Sequence, residues 1–175
     1  MSVFGTENRY GLVAQAIHWI TAILVLTAWL IAGTWGRDET SPIMGLHQSI
    51  GFTVFALVLL RLVWRLFDTR PPKPPMPGLM ALAARVSHWL LYALLVLVPL
   101  SAIVGTWREG HALMIYGSQI EPLISESRRL GHQILDIHHR MATVLIALAG
   151  LHALAAIFHH LMLRDRTLRQ MLPVG

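Results

Sequence analysis

The sequence of 175 residues contains no cysteine and few charged side chains. Without cysteine the chain cannot form disulfides, thiolate zinc sites or iron–sulfur clusters, and it cannot attach a haem covalently through a CxxCH motif. Charged residues make up 13% of the chain and hydrophobic residues 55%, whereas a soluble protein is about one quarter charged. This composition excludes a soluble globular enzyme and a disordered chain, and it is typical of a membrane protein.

Acidic residues are absent from four long apolar segments, which run over about residues 11–33, 46–67, 86–107 and 138–163. Each segment can cross a hydrocarbon core of ~30 Å, which takes roughly 20 helical residues. The nearest acids, Asp68, Glu109, Asp136 and Asp165, lie just outside. They mark the boundaries, since a carboxylate inside the membrane costs several kcal/mol. The sequence predicts an all-α fold: an integral membrane four-helix bundle in which residues 1–175 form a single domain in a lipid bilayer.

The net charge of +5 is distributed unevenly between the two ends of this bundle. If the N-terminus, residues 61–85 and the C-terminus share one side, that side has nine basic and three acidic residues, against five basic and six acidic on the other. The positive-inside rule then predicts that both termini are cytoplasmic. The basic residues lie beside apolar runs and are not interleaved with aromatic residues, so we expect no nucleic acid partner.

The ten histidines carry most of the functional information. His138 and His152 are separated by fourteen residues, which is ~21 Å of helix rise and only ~40° short of four full turns. They therefore share one face of the fourth helix at two depths. His47, near the outer end of the second helix, is level with His138, and His18 on the first helix reaches the depth of His152. We call His47 and His138 the outer pair, and His18 and His152 the inner pair.

Two imidazole pairs stacked across a bilayer suit two haem b groups. Neutral imidazole is a good iron ligand, and the apolar interior of a bundle provides a dry slot for the macrocycle. Because the protein fills both axial positions, such haems relay electrons and do not readily bind oxygen. A lone transmembrane histidine is often an interhelical hydrogen-bonder, but four that pair by depth favour haem. His139 is the closest rival to His138 as the outer ligand.

Arg61 lies fourteen residues after His47 on the same helix face, near the depth of the inner pair. An arginine there is costly unless it is paired or reaches the membrane surface. None of the four apolar segments contains a carboxylate, so a haem propionate is the expected partner. The alternative is that Arg61 extends with Arg65 to the inner surface.

His88 and His159 share a shallow level near the inner surface. Together they are candidates for hydrogen bonding to the headgroup of a quinone that enters from the inner leaflet. The alternative is that both face water or lipid headgroups.

The connections between the helices differ in character. Residues 71–78 contain five prolines, which predicts a stiff, extended inner connection. The outer stretch of residues 108–137 is long for a helical hairpin, and such loops are usually functional or disordered. Within it we expect a short helix near residues 122–130, with proline in its first turn.

At these residues the chain resembles the bacterial cytochrome b561 family of small, four-helix, di-haem proteins of the inner membrane. The resemblance covers nearly the whole chain and is carried by Ala16-Ile17-His18-Trp19, by Gly45-Leu46-His47 through Arg61-Leu62-Val63-Trp64-Arg65, by the Pro-rich 71–77 followed by Val86-Ser87-His88, and by Ile137-His138 through Gly150-Leu151-His152 to His159-His160. It implies electron transfer between a periplasmic donor and ubiquinone, with superoxide as a donor proposed for the family. It also implies that His47 with His138, and His18 with His152, are the haem ligands.

Two other functions deserve comparison with this one. The chain could be the haem-carrying membrane anchor subunit of a periplasmic dehydrogenase or hydrogenase, which uses the same chemistry. A histidine-based transporter of divalent metal is of another class, and it is disfavoured because transport sites normally add intramembrane carboxylates.

Overall fold

The computed structural model describes residues 2–34, 41–69, 71–72 and 77–172. Its four long helices are α1 (Leu12–Ile31), α2 (Pro42–Phe67), α3 (Gly78–Arg108) and α4 (Arg128–Phe158). All four are long and apolar enough to cross a membrane, which confirms the predicted membrane four-helix fold. Residues 73–76 of the predicted extended connection lie outside the described residues.

Two helices begin earlier than their apolar segments. α3 begins at Gly78 and α4 at Arg128, eight and ten residues before the segments predicted from hydropathy. Hydropathy marks only the part of a helix that crosses the membrane, whereas the backbone hydrogen bonds continue into the polar residues at its ends. α4 then continues into a π-helical turn, His159–Leu163, which ends at Arg164 in the left-handed conformation (φ 53°).

Both chain ends lie at the same end of the bundle. The Tyr10 N–H donates to the Gln170 carbonyl oxygen (3.2 Å), and Trp19 Nε1–H donates to that of Met171 (2.8 Å). The C-terminal segment therefore covers the start of α1, beside His18. Which side of the membrane this end faces stays a prediction from the charge distribution.

The loop between α3 and α4 contains an antiparallel hairpin of β1 (Leu113–Ile115) and β2 (Ser118–Ile120). Its turn is formed by Tyr116 (φ 51°) and Gly117 (φ 82°), the pair of left-handed residues that a tight two-residue hairpin turn requires. The hairpin lies against α2, because the Met114 N–H donates to Gln48 Oε1 (2.7 Å) and the Tyr116 N–H donates to Ser49 Oγ (2.9 Å).

The prediction of a short helix near residues 122–130 is wrong. The chain is irregular from residue 121 to residue 127, and helix begins only at Arg128. This segment bonds to the end of α3 instead: the Ser127 N–H donates to the Arg108 carbonyl oxygen (2.7 Å), and Arg108 Nη1 donates to that of Ser125 (2.8 Å). Polar groups that are satisfied by a neighbouring element need no helix of their own.

α3 and α4 form the most extensive helix contact, and α1 packs along α2. Glycines permit the close approach of α3 and α4. A Cβ on Gly105 would lie 2.7 Å from Leu135 Cδ2, and one on Gly131 would lie 2.5 Å from Glu109 Cγ. Small residues at such contacts are a common feature of membrane bundles.

The outer surfaces of the helices are apolar. Large side chains such as Leu66 and Leu79 are 77% and 83% exposed, whereas few residues are fully buried between the helices, Val58 among them. An exposed apolar surface of this size suits contact with lipid tails.

Candidate functional site

The outer pair lies between α2 and α4. The ring centres of His47 and His138 are 6.4 Å apart, and the ring planes are inclined by 83°. Nδ1 of His47 lies 3.1 Å from the Ala28 carbonyl oxygen, and Nδ1 of His138 lies 2.9 Å from that of Val98. A carbonyl oxygen only accepts, so each Nδ1 carries the proton and donates it. Nε2 of both rings is then the unprotonated nitrogen, which is the form that binds a metal.

The end of α1 explains why Ala28 can hold His47. The Ala32 N–H bonds to the Trp29 carbonyl oxygen, so the Ala28 carbonyl loses its usual partner four residues later. The last carbonyls of a helix need partners from outside it, and the His47 imidazole supplies one. The helix terminus thereby fixes the orientation of the ring.

The inner pair lies between α1 and α4 and repeats the geometry of the outer pair. The ring centres of His18 and His152 are 6.4 Å apart, with planes inclined by 83°. A third imidazole, that of His88 on α3, has its ring centre 5.3 Å from that of His152. Nδ1–H of His88 donates to the Ala84 carbonyl oxygen of the same helix (2.5 Å). The inner end of the bundle thus gathers three histidines from three helices.

The separation of the ring centres distinguishes these contacts. Two imidazoles on opposite sides of one metal ion have ring centres roughly 6.4 Å apart, because each metal–nitrogen bond is about 2.0–2.1 Å and each nitrogen lies about 1.1 Å from its ring centre. His18–His152 and His47–His138 both have this separation. His88 and His152, at 5.3 Å, are too close for it. The geometry therefore favours His18 over His88 as the partner of His152.

The set of available ligands suits a macrocycle. Within residues 2–34, 41–69, 71–72 and 77–172, no three His, Asp or Glu side chains form a metal-binding group. Each pair therefore offers two imidazole nitrogens, and a metal ion held between them needs further donors. A porphyrin supplies four nitrogens in a plane and leaves two axial positions open, so the residues present fit haem.

Gly51 lies one helical turn after His47, on the same face of α2. Among the described residues outside its own turns of α2, no atom lies within 4 Å of the position that a Cβ on Gly51 would occupy. A close helix contact at that position therefore does not explain the glycine. The open space beside the outer pair is consistent with room for a macrocycle.

Arg61 points at the inner pair. Its Nη1 lies 2.9 Å from Nδ1 of His18, and its guanidinium carbon lies 5.8 Å from the centre of the Tyr92 ring. Arginine only donates, so Nδ1 of His18 accepts in this contact and Nε2 carries the ring proton. For Nε2 to bind a metal, the proton has to lie on Nδ1, and Arg61 then donates to another acceptor. Arg65, one turn further along α2, donates to Tyr92 Oη (3.2 Å). Arg61 is thus held at the depth predicted for it, and its contact with a haem propionate stays a prediction.

His159 has different surroundings from His88, with which it was predicted to share a quinone. Its Nδ1–H donates to Asp165 Oδ2 (2.5 Å), and Asp165 Oδ1 accepts from the Thr167 N–H (2.8 Å). Burial raises the pKa of Asp165, but the hydrogen bonds from His159 and Thr167 lower it further, so the pKa lies below its ordinary value of 3.8. His88, in contrast, faces His152.

The outer end of the bundle carries a cavity of about 780 Å³ between the end of α3 and the start of α4. It is lined by Glu109, His111, Arg128, Arg129, His132 and Gln133. His132 Nδ1–H donates to Glu109 Oε1 (3.0 Å), and His111 Nδ1 lies 3.8 Å from Glu109 Oε2. The structure places them around one carboxylate, and His132 lies within α4, ~9 Å of helix rise before His138.

The sequence of the chain matches the family described as prokaryotic cytochrome b561 over residues 9–174. The chain belongs to this family. Cytochromes b561 are membrane electron-transport proteins that bind haem b, and this chain is accordingly a bacterial multi-pass membrane haem protein.

Three relatives of the family cover nearly the whole chain. A Yersinia pestis protein named "Probable superoxide oxidase CybB" is 29% identical over 171 residues, which span 95% of this chain and 97% of the relative. Cytochrome b561 homolog 2 of Escherichia coli is 28% identical over 181 residues, with 98% and 95% covered. Cytochrome b562 of Cereibacter sphaeroides is 29% identical over 175 residues, with 95% and 96% covered.

Proposed function

We propose that this cytochrome b561 holds two haem b groups and carries electrons across the bacterial inner membrane from a periplasmic donor to ubiquinone. His47 and His138 hold the outer haem, and His18 and His152 hold the inner haem. The observation that supports this most strongly is the repeated separation of 6.4 Å in two pairs. The two pairs lie at levels set by fourteen residues of α4, or ~21 Å of helix rise.

The two histidine pairs determine where the haems lie, and the residues around them orient the ligating imidazoles. When bound, each haem would supply one-electron redox chemistry at its iron, which one pair of histidines would hold. The carbonyl oxygens of Ala28 and Val98 hold the outer imidazoles in the ligating tautomer. Because two imidazoles would hold each iron, oxygen would not bind there readily.

The inner end of the bundle is the proposed site of quinone reduction. The charge distribution of the sequence supports a cytoplasmic position for this end and for both termini. His88 lies beside the inner pair, which suits a quinone that accepts electrons from the inner haem. His159 keeps Nε2 available for a quinone oxygen, because its Nδ1 is bonded to Asp165.

The outer cavity supports superoxide as the periplasmic donor. Of the six side chains that line it, Arg128 and Arg129 are cationic and Glu109 is anionic, so the rim has a net positive charge. A rim of this kind attracts a small anion. The Yersinia pestis relative is named as a probable superoxide oxidase, and we propose the same donor for this chain.

Electron transfer can be followed in the purified chain reconstituted in lipid nanodiscs. Superoxide generated under low oxygen should produce the α and Soret bands of reduced haem, and superoxide dismutase should prevent this. A water-soluble ubiquinone should then reoxidise the haems, more slowly in His88→Leu and His159→Leu. Haems that superoxide leaves oxidised would exclude this donor, and dithionite-reduced haems that ubiquinone leaves reduced would exclude the acceptor. Both reactions in the chain alone would also distinguish it from an anchor subunit.

A further inference from the structure

Asp165 lies where a carboxylate is electrostatically unfavourable unless a cation faces it. It follows the π-helical turn at the end of α4, and the carbonyl end of a helix carries partial negative charge. Its Oδ2 accepts from Nδ1–H of His159 (2.5 Å). Both side chains are largely enclosed, with 13% of His159 and 18% of Asp165 exposed. The carboxylate is therefore placed against an imidazole, which can become a cation.

The backbone after α4 brings this carboxylate back to His159. The π-helical turn ends at Arg164, whose φ of 53° is a left-handed conformation that glycine adopts more readily. The chain reverses there, and the Asp165 N–H donates to the His159 carbonyl oxygen (3.2 Å). The Thr167 N–H donates to Asp165 Oδ1 (2.8 Å), which leaves Oδ2 for the imidazole. Single π-helical turns are frequent at functional sites.

We propose that His159 donates a proton to the quinone as it is reduced, and that Asp165 is the positioning residue that prepares His159 to do so. This role rests on the proposed reduction of ubiquinone at the inner end of the bundle. It adds the source of a proton to that reaction, and it gives a function to a carboxylate that electron transfer alone does not require.

The hydrogen bond to Asp165 determines which nitrogen of His159 can exchange a proton. An ionised carboxylate only accepts, so Nδ1 keeps its proton and Nε2 is left for the exchange. A carboxylate at Nδ1 holds an imidazole in one tautomer and stabilises the ring when Nε2 also carries a proton. The doubly protonated ring can give the Nε2 proton to an oxygen, and it then becomes a neutral ring that still donates to Asp165.

Reduction of a quinone to a quinol takes two electrons and two protons. The two electrons come from the two centres of the proposed function, each of which is oxidised by one electron. His159 supplies one proton: its Nε2–H bond breaks, and an O–H bond forms on one quinone oxygen. Protons from water at the inner end of the bundle protonate the second oxygen and restore Nε2–H, so His159 is unchanged after each cycle.

Reoxidation of the full chain in nanodiscs, first reduced with stoichiometric dithionite without oxygen, tests this role. The reduced α band is followed by stopped flow after mixing with a water-soluble ubiquinone or with ferricyanide, which accepts one electron and no proton. Asp165→Asn should lower the limiting rate at saturating ubiquinone by about tenfold or more. It should change the half-saturating concentration less and leave the ferricyanide rate unchanged. Asp165→Glu, which keeps the carboxylate, should recover part of the ubiquinone rate.

Two comparisons distinguish a role through His159 from a general effect of charge or structure. Asp68→Asn removes a carboxylate at the same end of the bundle, one whose Oδ1 accepts from the backbone N–H of Gly5 (2.7 Å), and it should leave the ubiquinone rate unchanged. His159→Leu should be slow by itself. Adding Asp165→Asn to it should slow the reaction no further, because a residue that acts only through the imidazole has no effect once the imidazole is gone.

A His159→Leu chain that ubiquinone oxidises at the wild-type rate would overturn the proposal, whether or not any Asp165 variant folds. So would an Asp165→Asn chain that holds two haems and keeps the wild-type ubiquinone rate, or one that is slowed equally with ferricyanide. A double variant that is slower than His159→Leu by the full factor of Asp165→Asn would also overturn it. A wild type that ubiquinone leaves reduced would instead contradict the proposed function.

Discussion

The imidazole rings of His47 and His138 lie with their centres 6.4 Å apart and their planes inclined by 83°. The rings of His18 and His152 repeat both values. Perpendicular imidazoles leave the two iron orbitals that interact with them at nearly equal energies, so the oxidised low-spin iron is highly anisotropic. We expect both centres to give electron paramagnetic resonance spectra dominated by a single large-g feature. Ordinary rhombic signals from both centres would show that the ring planes are close to parallel.

Adjacent histidines allow a matched test of the outer ligand. His138 faces His47 and is held by the Val98 carbonyl, whereas His139 follows it by one residue and points ~100° away around the helix. His138→Ala should lower the haem content from two to one per chain, and His139→Ala should leave two. The pyridine haemochrome assay measures the ratio. The reverse pattern would make His139 the ligand.

A larger side chain at position 51 should displace the outer haem without clashing with the protein. Because nothing outside its own turns of α2 lies within 4 Å of a Cβ at Gly51, Gly51→Ala should leave the helices packed as before, and Gly51→Leu extends further into the same space. Its side chain should occupy the room of the outer macrocycle, so the haem content falls toward one per chain. Gly51→Ala is the smaller control and should retain more outer haem. A leucine variant that holds two haems would show that this space is not used by the cofactor.

Asp165 predicts a pH dependence of stability at the inner end of the bundle. Its pKa is lower in the folded protein than its ordinary value of 3.8, because the bonds from His159 and Thr167 outweigh burial. The stabilisation is therefore present above about pH 4 and is lost as the pH falls through the folded-state pKa. The melting temperature of Asp165→Asn should lie below that of the wild type near pH 6, and the difference should narrow toward about pH 3. A difference that stays constant over this range would contradict the role of the carboxylate.

The four helices were predictable because each needs only a long apolar segment bounded by charge. The levels of the histidines followed from the same simple geometry, since 1.5 Å per residue fixes depth once the helices are antiparallel. The interval from His138 to His152 shows this: the rings that face them in the structure are those of His47 and His18.

The neighbours of these rings were not predictable from spacing alone. Whether Arg61 reaches His18 or the membrane surface depends on the rotation of α2 against α1, which apolar periodicity barely restricts in a helix surrounded by lipid. The position of His88 beside His152 depends in the same way on the rotation of α3 against α4. Arg61 and Arg65 are four residues apart and share one face of α2, and His88 and Tyr92 share one face of α3 in the same way. These two polar faces were the available sign that α2 and α3 meet there.

The hairpin was missed because its signal is short. Tyr116 and Gly117 form a turn between two strands of three residues each, too few for an alternating pattern to stand out. Pro122 was a stronger local signal and led to the wrong expectation of a helix. The hairpin is stabilised by Gln48 and Ser49 of α2, which lie more than sixty residues away in sequence.

The haem content of the chain and of His152→Ala tests the central claim most directly. The wild type, expressed with sufficient haem and purified in detergent, should contain two haem b per chain by the pyridine haemochrome assay. His152→Ala should contain one, and His160→Ala, which changes a histidine of the π-helical turn after α4 that belongs to neither pair, should contain two. A wild type without haem, or a His152→Ala protein that keeps both haems, would contradict the account.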